Sequence, residues 1–240
     1  MGKFFNLDSP FMQFLNKVAD LMLLNVLTLI CCIPIFTIGA SLTAAHYVAL
    51  KMKRNEEGYI ARDFFKSFKM NFKQATLIWL IALALIIVLV CDFLILSSSE
   101  GISDWIKVVI MVAGVILTFT LTWVFAMLAR FTNTIKGTIK NAFALSILKF
   151  PRTILMILVN LIPTVLFILD MRMFPVVLFF GITVPIYLNT MLYNKVFKGL
   201  EERILARIEA ENGGSESGPE GQEERIFSDE PAEEDGKASS

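Results

Sequence analysis

Residues 75–96 read ATLIWLIALALIIVLVCDFLIL, and Asp92 is the only charge in the stretch. A helix over these residues extends about 33 Å, enough to cross the hydrocarbon core of a bilayer. Working outward, four more runs share this character: Leu21–Leu50, Val108–Ala129, Thr153–Leu169 and Met173–Asn194. A small water-soluble domain has too much surface per volume to hide that much apolar material. The composition agrees, with 55% of the chain hydrophobic and only 18% charged. The expected fold is all-α: a polytopic membrane bundle of five transmembrane helices with two cytoplasmic interfacial helices.

The formal net charge of +0 conceals two unlike parts. Residues 1–208, read as the five-span membrane domain, carry nine more basic than acidic side chains, and residues 209–240 carry nine more acidic than basic. The tail is rich in Gly, Ser, Pro and Glu and is too poor in apolar side chains to form a core, so it reads as an acidic, disordered cytoplasmic tail.

Side follows from the distribution of Lys and Arg in short loops. Loop 51–74 holds Lys51, Lys53, Arg54, Arg62, Lys66, Lys69 and Lys73; loop 130–152 holds Arg130, Lys136, Lys140, Lys149 and Arg152. Lys195, Lys198, Arg203 and Arg207 follow the last span, while Lys3, Lys17, Lys107 and Arg172 fall on the opposite side. Five spans with this bias predict a multi-pass protein of the cell membrane, its N-terminus outside and its C-terminus cytoplasmic. The first run is too long, and its flank insufficiently basic, for a cleaved signal sequence. Pro34 divides it, so it is either one long kinked helix, the reading preferred here, or a re-entrant pair of about 18–33 and 38–50.

Within loop 51–74, helical spacing puts Phe64, Phe65, Phe68 and Phe72 on one arc and Arg62, Lys66, Lys69 and Lys73 on the neighbouring arc. That is the pattern of a helix lying in the interface of a bilayer with anionic lipids. A phenylalanine stripe packed on protein is the alternative reading, and the two are compatible, since such a helix can also brace the bundle. In loop 130–152, Ile135, Ile139, Ala142, Phe143, Ile147 and Phe150 recur at helical spacing, with Leu145 and Leu148 off the stripe. These two loops are the expected contact surfaces for membrane transporter subunits.

Small residues suggest close helix packing at Gly39 and Ala44 in the first span and at Gly114, Thr118, Thr122 and Ala126 in the third. Pro34, Pro163 and Pro185 are expected to kink three spans, because each removes a backbone donor. Asn25, Asn160 and Asn189 are the polar side chains inside the spans. His46 is the only histidine, and Cys31, Cys32 and Cys91 have no metal-binding spacing, so no metal or cofactor is expected. No P-loop, Gly-x-Ser-x-Gly or His-Glu-x-x-His occurs, which argues against an enzyme. Nothing points to nucleic acid.

Three stretches together resemble the YesL family of small bacterial membrane proteins. They are Pro34-Ile-Phe-Thr-Ile-Gly39 running on to Ala45, Asp63-Phe-Phe-Lys-Ser-Phe68 running on to Ala75-Thr76, and Arg130-Phe131 followed by Lys140-Asn-Ala142 and Phe150-Pro-Arg152. The similarity covers about residues 1–200. The resemblance implies a polytopic protein of the cytoplasmic membrane, associated by gene neighbourhood with carbohydrate uptake beside ATP-binding-cassette sugar importers. It brings no catalytic residues. The expected function is an accessory protein supporting or modulating such an importer; the alternative is a transporter or permease subunit that itself moves a small solute.

Overall fold

The computed structural model describes residues 10–54, 56, 58–98 and 104–211. Their regular structure is helical: α1 (Pro10–Cys32), α2 (Ile38–Arg54), α3 (Ile60–Ser98), α4 (Asp104–Leu128), α5 (Ile135–Leu148), α6 (Phe150–Leu169), α7 (Phe174–Phe180) and α8 (Thr183–Glu211), with short 3₁₀ turns at Ile35–Thr37 and Met171–Met173. Among the described residues α1, α2, α3, α4 and α6 are each long and apolar enough to cross a membrane, and α7 with α8 qualifies as a pair bent by 57°. The all-helical membrane bundle expected from sequence is therefore present, but its helices divide the chain differently. The acidic tail lies outside the described residues, apart from its first three positions, which continue α8 to Glu211.

The run 21–50 is not one kinked helix. Pro34 takes an extended conformation, φ −74° and ψ 118°, and cannot donate a backbone hydrogen bond, so α1 ends before it. The Thr37 hydroxyl then donates to the carbonyls of Cys31 and Pro34. Past that turn the chain doubles back: Ser41 Oγ donates to Thr28 O at 2.9 Å, and Leu24 packs with Ala44 and Val48. Partners therefore grow further apart in sequence on moving away from the turn, as only an antiparallel hairpin allows. Pro10 and Arg54 stand at the same end of the bundle. This overturns the expectation that the first run carries the chain from one side to the other.

The second correction concerns loop 51–74. No Gly or Pro interrupts residues 60–98, and the expected interfacial helix and second span form one continuous α3 about 58 Å long. The hairpin lies along its first half. Gly39 permits the contact, because a Cβ there would sit 2.5 Å from Ala75 O and 2.6 Å from the Trp79 Cβ. Trp79 Nε1 donates to Ile35 O at 2.7 Å, pinning the hairpin tip. Beyond Trp79, α3 runs on to Ser98, about 28 Å further. Over that length Leu85, Ile87, Val88, Leu94 and Ile95 are exposed, as are Val109 and Met111 of α4 and Ile168 of α6. Such a belt needs lipid around it.

Helix α2 lies at the centre, buried along a face that includes Ala40, Ser41, Ala44, Ala45, Val48 and Ala49. Around it the largest buried side chains are Trp123, Tyr193, Phe64 and Phe197. Trp123 Nε1 donates to Thr153 Oγ1 at 2.9 Å, and that hydroxyl donates to Ser146 O, joining α4, α6 and α5.

Candidate functional site

Two regions gather polar or charged side chains. The first is the basic end, where the hairpin's open end meets the start of α3. Arg62, Lys66, Lys69 and Lys73 are all exposed along one side of α3. The phenylalanines beside them are largely consumed by packing. Phe64 is fully buried against Leu24, Ala44 and Val48; Phe68 packs on that cluster and, with Phe72, on the neighbouring one that includes Ala40, Leu50 and Ala75. Their rings form a ladder, 6.2 Å from Phe64 to Phe68 and 5.4 Å from Phe68 to Phe72. Phe65 alone points outward. The stripe is thus packed on the hairpin, and α3 continues straight into the apolar belt instead of ending as a separate helix.

Ion pairs fasten this end. Lys51 Nζ lies 3.4 Å from Asp63 Oδ1, joining α2 to α3. Arg130, just past α4, forms a two-pronged pair with Glu201 of α8, its Nη2 donating to Oε2 at 2.9 Å. Both partners are largely buried. Helix α5 is capped by Thr134, whose side chain accepts from Gly137 N. It buries Thr138, Ala142, Leu145 and Ser146, and it turns Phe143, Ile147 and Leu148 outward. Leu145, expected off the stripe, faces the core, so α5 is rotated from the phase its spacing suggested.

The second region lies where the fifth expected span breaks. A Cβ at Gly181 would overlap Val177 O, which glycine avoids, and the chain bends between Gly181 and Thr183. Asn25 of α1 holds the break. Its Oδ1 accepts from the backbone of Ile182 and Thr183, both at 3.0 Å, and its Nδ2 donates to Leu178 O at 2.7 Å. Beside the break is a cavity of about 380 Å³ lined by His46, Trp79, Thr118, Thr122, Asn160 and Asn189, together with apolar side chains. Asn189 Nδ2 donates to Asn160 Oδ1 at 2.8 Å, and His46 Nδ1 lies 3.0 Å from the Tyr193 hydroxyl.

The expected packing and kink residues separate. Gly39, Ala44 and Ala126 are buried contacts. Gly114 is not a contact: a Cβ there would meet nothing within 4 Å. Thr118 and Thr122 bond back to their own helix at Gly114 O and Thr118 O and face the cavity, so the periodic small residues of α4 do not form one packing seam. Pro163 lies inside α6. Pro34 stands at the hairpin turn, and Pro185 in the first turn of α8, where a missing N–H costs nothing. Neither kinks a continuous helix. In the sequence Asn25 stands out only as a polar residue, and Glu201, Tyr193 and Gly181 do not stand out. A lone Asn in an apolar run and a Gly before the Thr-x-Pro helix start were the available signals. No group of three or more His, Cys, Asp or Glu side chains able to hold a metal gathers among the described residues.

Residues 21–93 match a protein family described as "Protein of unknown function, DUF624". The matched segment runs from within α1 through α2 and most of α3, so it takes in the hairpin and the helix it packs on. No curated protein and no solved structure matches the chain.

Proposed function

We propose that this is a membrane-embedded accessory protein of the YesL type that supports or modulates an ATP-binding-cassette carbohydrate importer. The observation that carries the reading is the exposed basic row Arg62, Lys66, Lys69 and Lys73 on a helix whose phenylalanine row is locked into the hairpin. A row held that rigidly presents fixed positive charge to anionic headgroups or to the acidic surface of a partner subunit. Segments 51–74 and 130–152 supply the contacts, with Phe65, Phe143 and Ile147 as their outward apolar side chains. The family resemblance and the match over the hairpin support the assignment. The protein resides in the cell membrane, and this end faces the cytoplasm. The hairpin moves Lys17 to the basic end and leaves Lys107 and Arg172 opposite, which sharpens the bias that sets orientation. Both termini are then cytoplasmic. The chain performs no catalysis of its own in this reading.

Affinity purification of the tagged full chain from gently solubilised membranes, followed by mass spectrometry, tests the reading. An importer permease or ATPase subunit should be recovered, and reversing Arg62, Lys66 and Lys69 to Glu should release it. Recovery of no importer subunit, together with sugar flux into liposomes containing this protein alone, would establish the second reading, a permease. The broken α7–α8 pair beside a polar cavity favours that alternative, since transporters build solute sites at discontinuous helices.

A further inference from the structure

We propose that the cavity beside the α7–α8 break binds a small, uncharged solute bearing several hydroxyl groups. The proposal goes beyond the accessory role and does not depend on it.

The first argument is charge. No Lys, Arg, Asp or Glu lines the cavity. A charged solute would lose its hydration without gaining a counter-charge, a heavy cost among apolar helices. A neutral one escapes that cost.

The second is the inventory of donors and acceptors. Thr118 and Thr122 have already given their hydroxyl hydrogens to carbonyls of α4, so their oxygens are left as acceptors. Asn189 spends an Nδ2 hydrogen on Asn160, and its Oδ1 is buried with no partner. Asn160 accepts that bond and keeps its own amide hydrogens to donate. His46 has one ring nitrogen engaged by Tyr193 and a second that either donates or accepts, according to its tautomer. Acceptors and donors from α2, α4, α6 and α8 therefore surround one space. Hydroxyl groups, which both donate and accept, answer that mixture. A carbonyl compound or an ether, lacking donors, would leave Asn189 Oδ1 unsatisfied, and buried unsatisfied groups are uncommon and costly.

The third is shape. Trp79, half-buried and backed by the Phe125 ring at 6.3 Å between centroids, supplies an apolar wall against which the C–H face of a ring can lie. A lipid chain is the competing occupant, but it would offer nothing to the Asn160 amide hydrogens, to Asn189 Oδ1 or to the remaining acceptor capacity of the two threonines. A separate pocket lined almost wholly by apolar atoms, between Pro163, Val177 and Leu188, suits a chain better.

The test is equilibrium binding of radiolabelled myo-inositol, glucose and glycerol to the full chain in phosphatidylcholine nanodiscs. At least one should bind saturably, and neither gluconate nor glucosamine should compete. Asn160→Leu, at an exposed side chain that lines the cavity, should weaken binding about tenfold, and because it removes the bond held by the buried Asn189 amide it should also lower the melting temperature. If that variant proves unstable, Thr122→Val serves as the near-isosteric replacement. The proposal is overturned if none of the three probes binds saturably, if the charged competitors displace them, or if both variants bind as the parent does. It is equally overturned by a stoichiometric lipid that the parent retains and Asn160→Leu loses. Failure to recover an importer subunit would leave all of these outcomes unchanged, so the two readings fall separately.

Discussion

Asn25 and Thr183 are 158 residues apart, yet the side-chain oxygen of the first accepts from the backbone N–H of the second at 3.0 Å. In a continuous helix that N–H would bond to the carbonyl of Phe179. Asn25 replaces the missing turn, accepting from Ile182 as well and donating to Leu178 O. Broken backbone at membrane depth is tolerated only when something satisfies its polar groups. One buried amide on the hairpin does so here, coupling the segment matched to the DUF624 family to the helices that enclose the cavity.

Asn25→Leu should therefore destabilise the protein far more than its polarity change suggests. It leaves two backbone donors and a carbonyl without partners, a loss of about 2 kcal/mol or more. Thr28→Val, equally buried but bonded only to its own helix at Leu24 O, should cost less than about 1 kcal/mol. Thermal unfolding in detergent compares the two. Equal melting temperatures would mean that Asn25 does not hold the break.

The two glycines expected to pack should behave oppositely. Gly39→Ala drives a methyl group into the Ala75 carbonyl and the Trp79 Cβ, neither of which can rotate away, at a cost of about 2 kcal/mol. Gly114→Ala meets open space and gains helix propensity, so its stability should be unchanged or slightly raised. A tolerated Gly39→Ala would show that the hairpin does not lie as close to α3 as described.

These contrasts mark what the residues alone could reveal. The runs 75–96, 108–129 and 153–169 each fall almost wholly within one helix, because apolar length without interruption leaves no other choice in lipid. Pro34 was ambiguous, since a proline ends a helix equally well for a kink and for a reversal. Thr37 on Cys31 O and Ser41 on Thr28 O decide between them, and those are contacts made only after folding. The phenylalanine periodicity within loop 51–74 is legible, but its partner is not: lipid and protein present the same apolar environment to a helix face. The break at Gly181 was hidden because Pro185 drew the kink four residues too late.

Phe64 and Phe65 are neighbours in sequence with opposite surroundings, and substitution should separate them. Phe64→Ala empties a fully enclosed site between α1, α2 and α3 and should cost about 3 kcal/mol. Phe65→Ala removes an exposed ring and should leave the melting temperature nearly unchanged while weakening attachment to whatever covers that face. Comparable losses of stability at both positions would contradict the packed-stripe assignment.

Sidedness gives a test that needs no purified protein. With the hairpin folded back, reporters fused ahead of residue 1 and after residue 240 should signal from the same compartment. A single kinked helix over 21–50 would place them in opposite ones. A truncation fusion immediately after Arg54 should agree with the N-terminal reporter, since Pro10 and Arg54 share one end. Opposite signals from the N-terminal reporter and the Arg54 fusion would undo the hairpin.

Arg130 and Glu201 supply the last test, because they are the one two-pronged ion pair among the described residues and both are largely buried. Removing Arg130 strands the Glu201 carboxylate away from water, so Arg130→Met should cost about 3 kcal/mol, and Glu201→Gln should cost less because Arg130 keeps a further contact. Replacing both by Met removes the stranded charge along with its partner, and the double variant should recover much of the loss. A double-mutant cycle by chemical denaturation reads the coupling directly. Strictly additive losses would mean that α8 is held to α4 by the aromatic contacts of Phe197 with Trp123 and Phe131 rather than by charge.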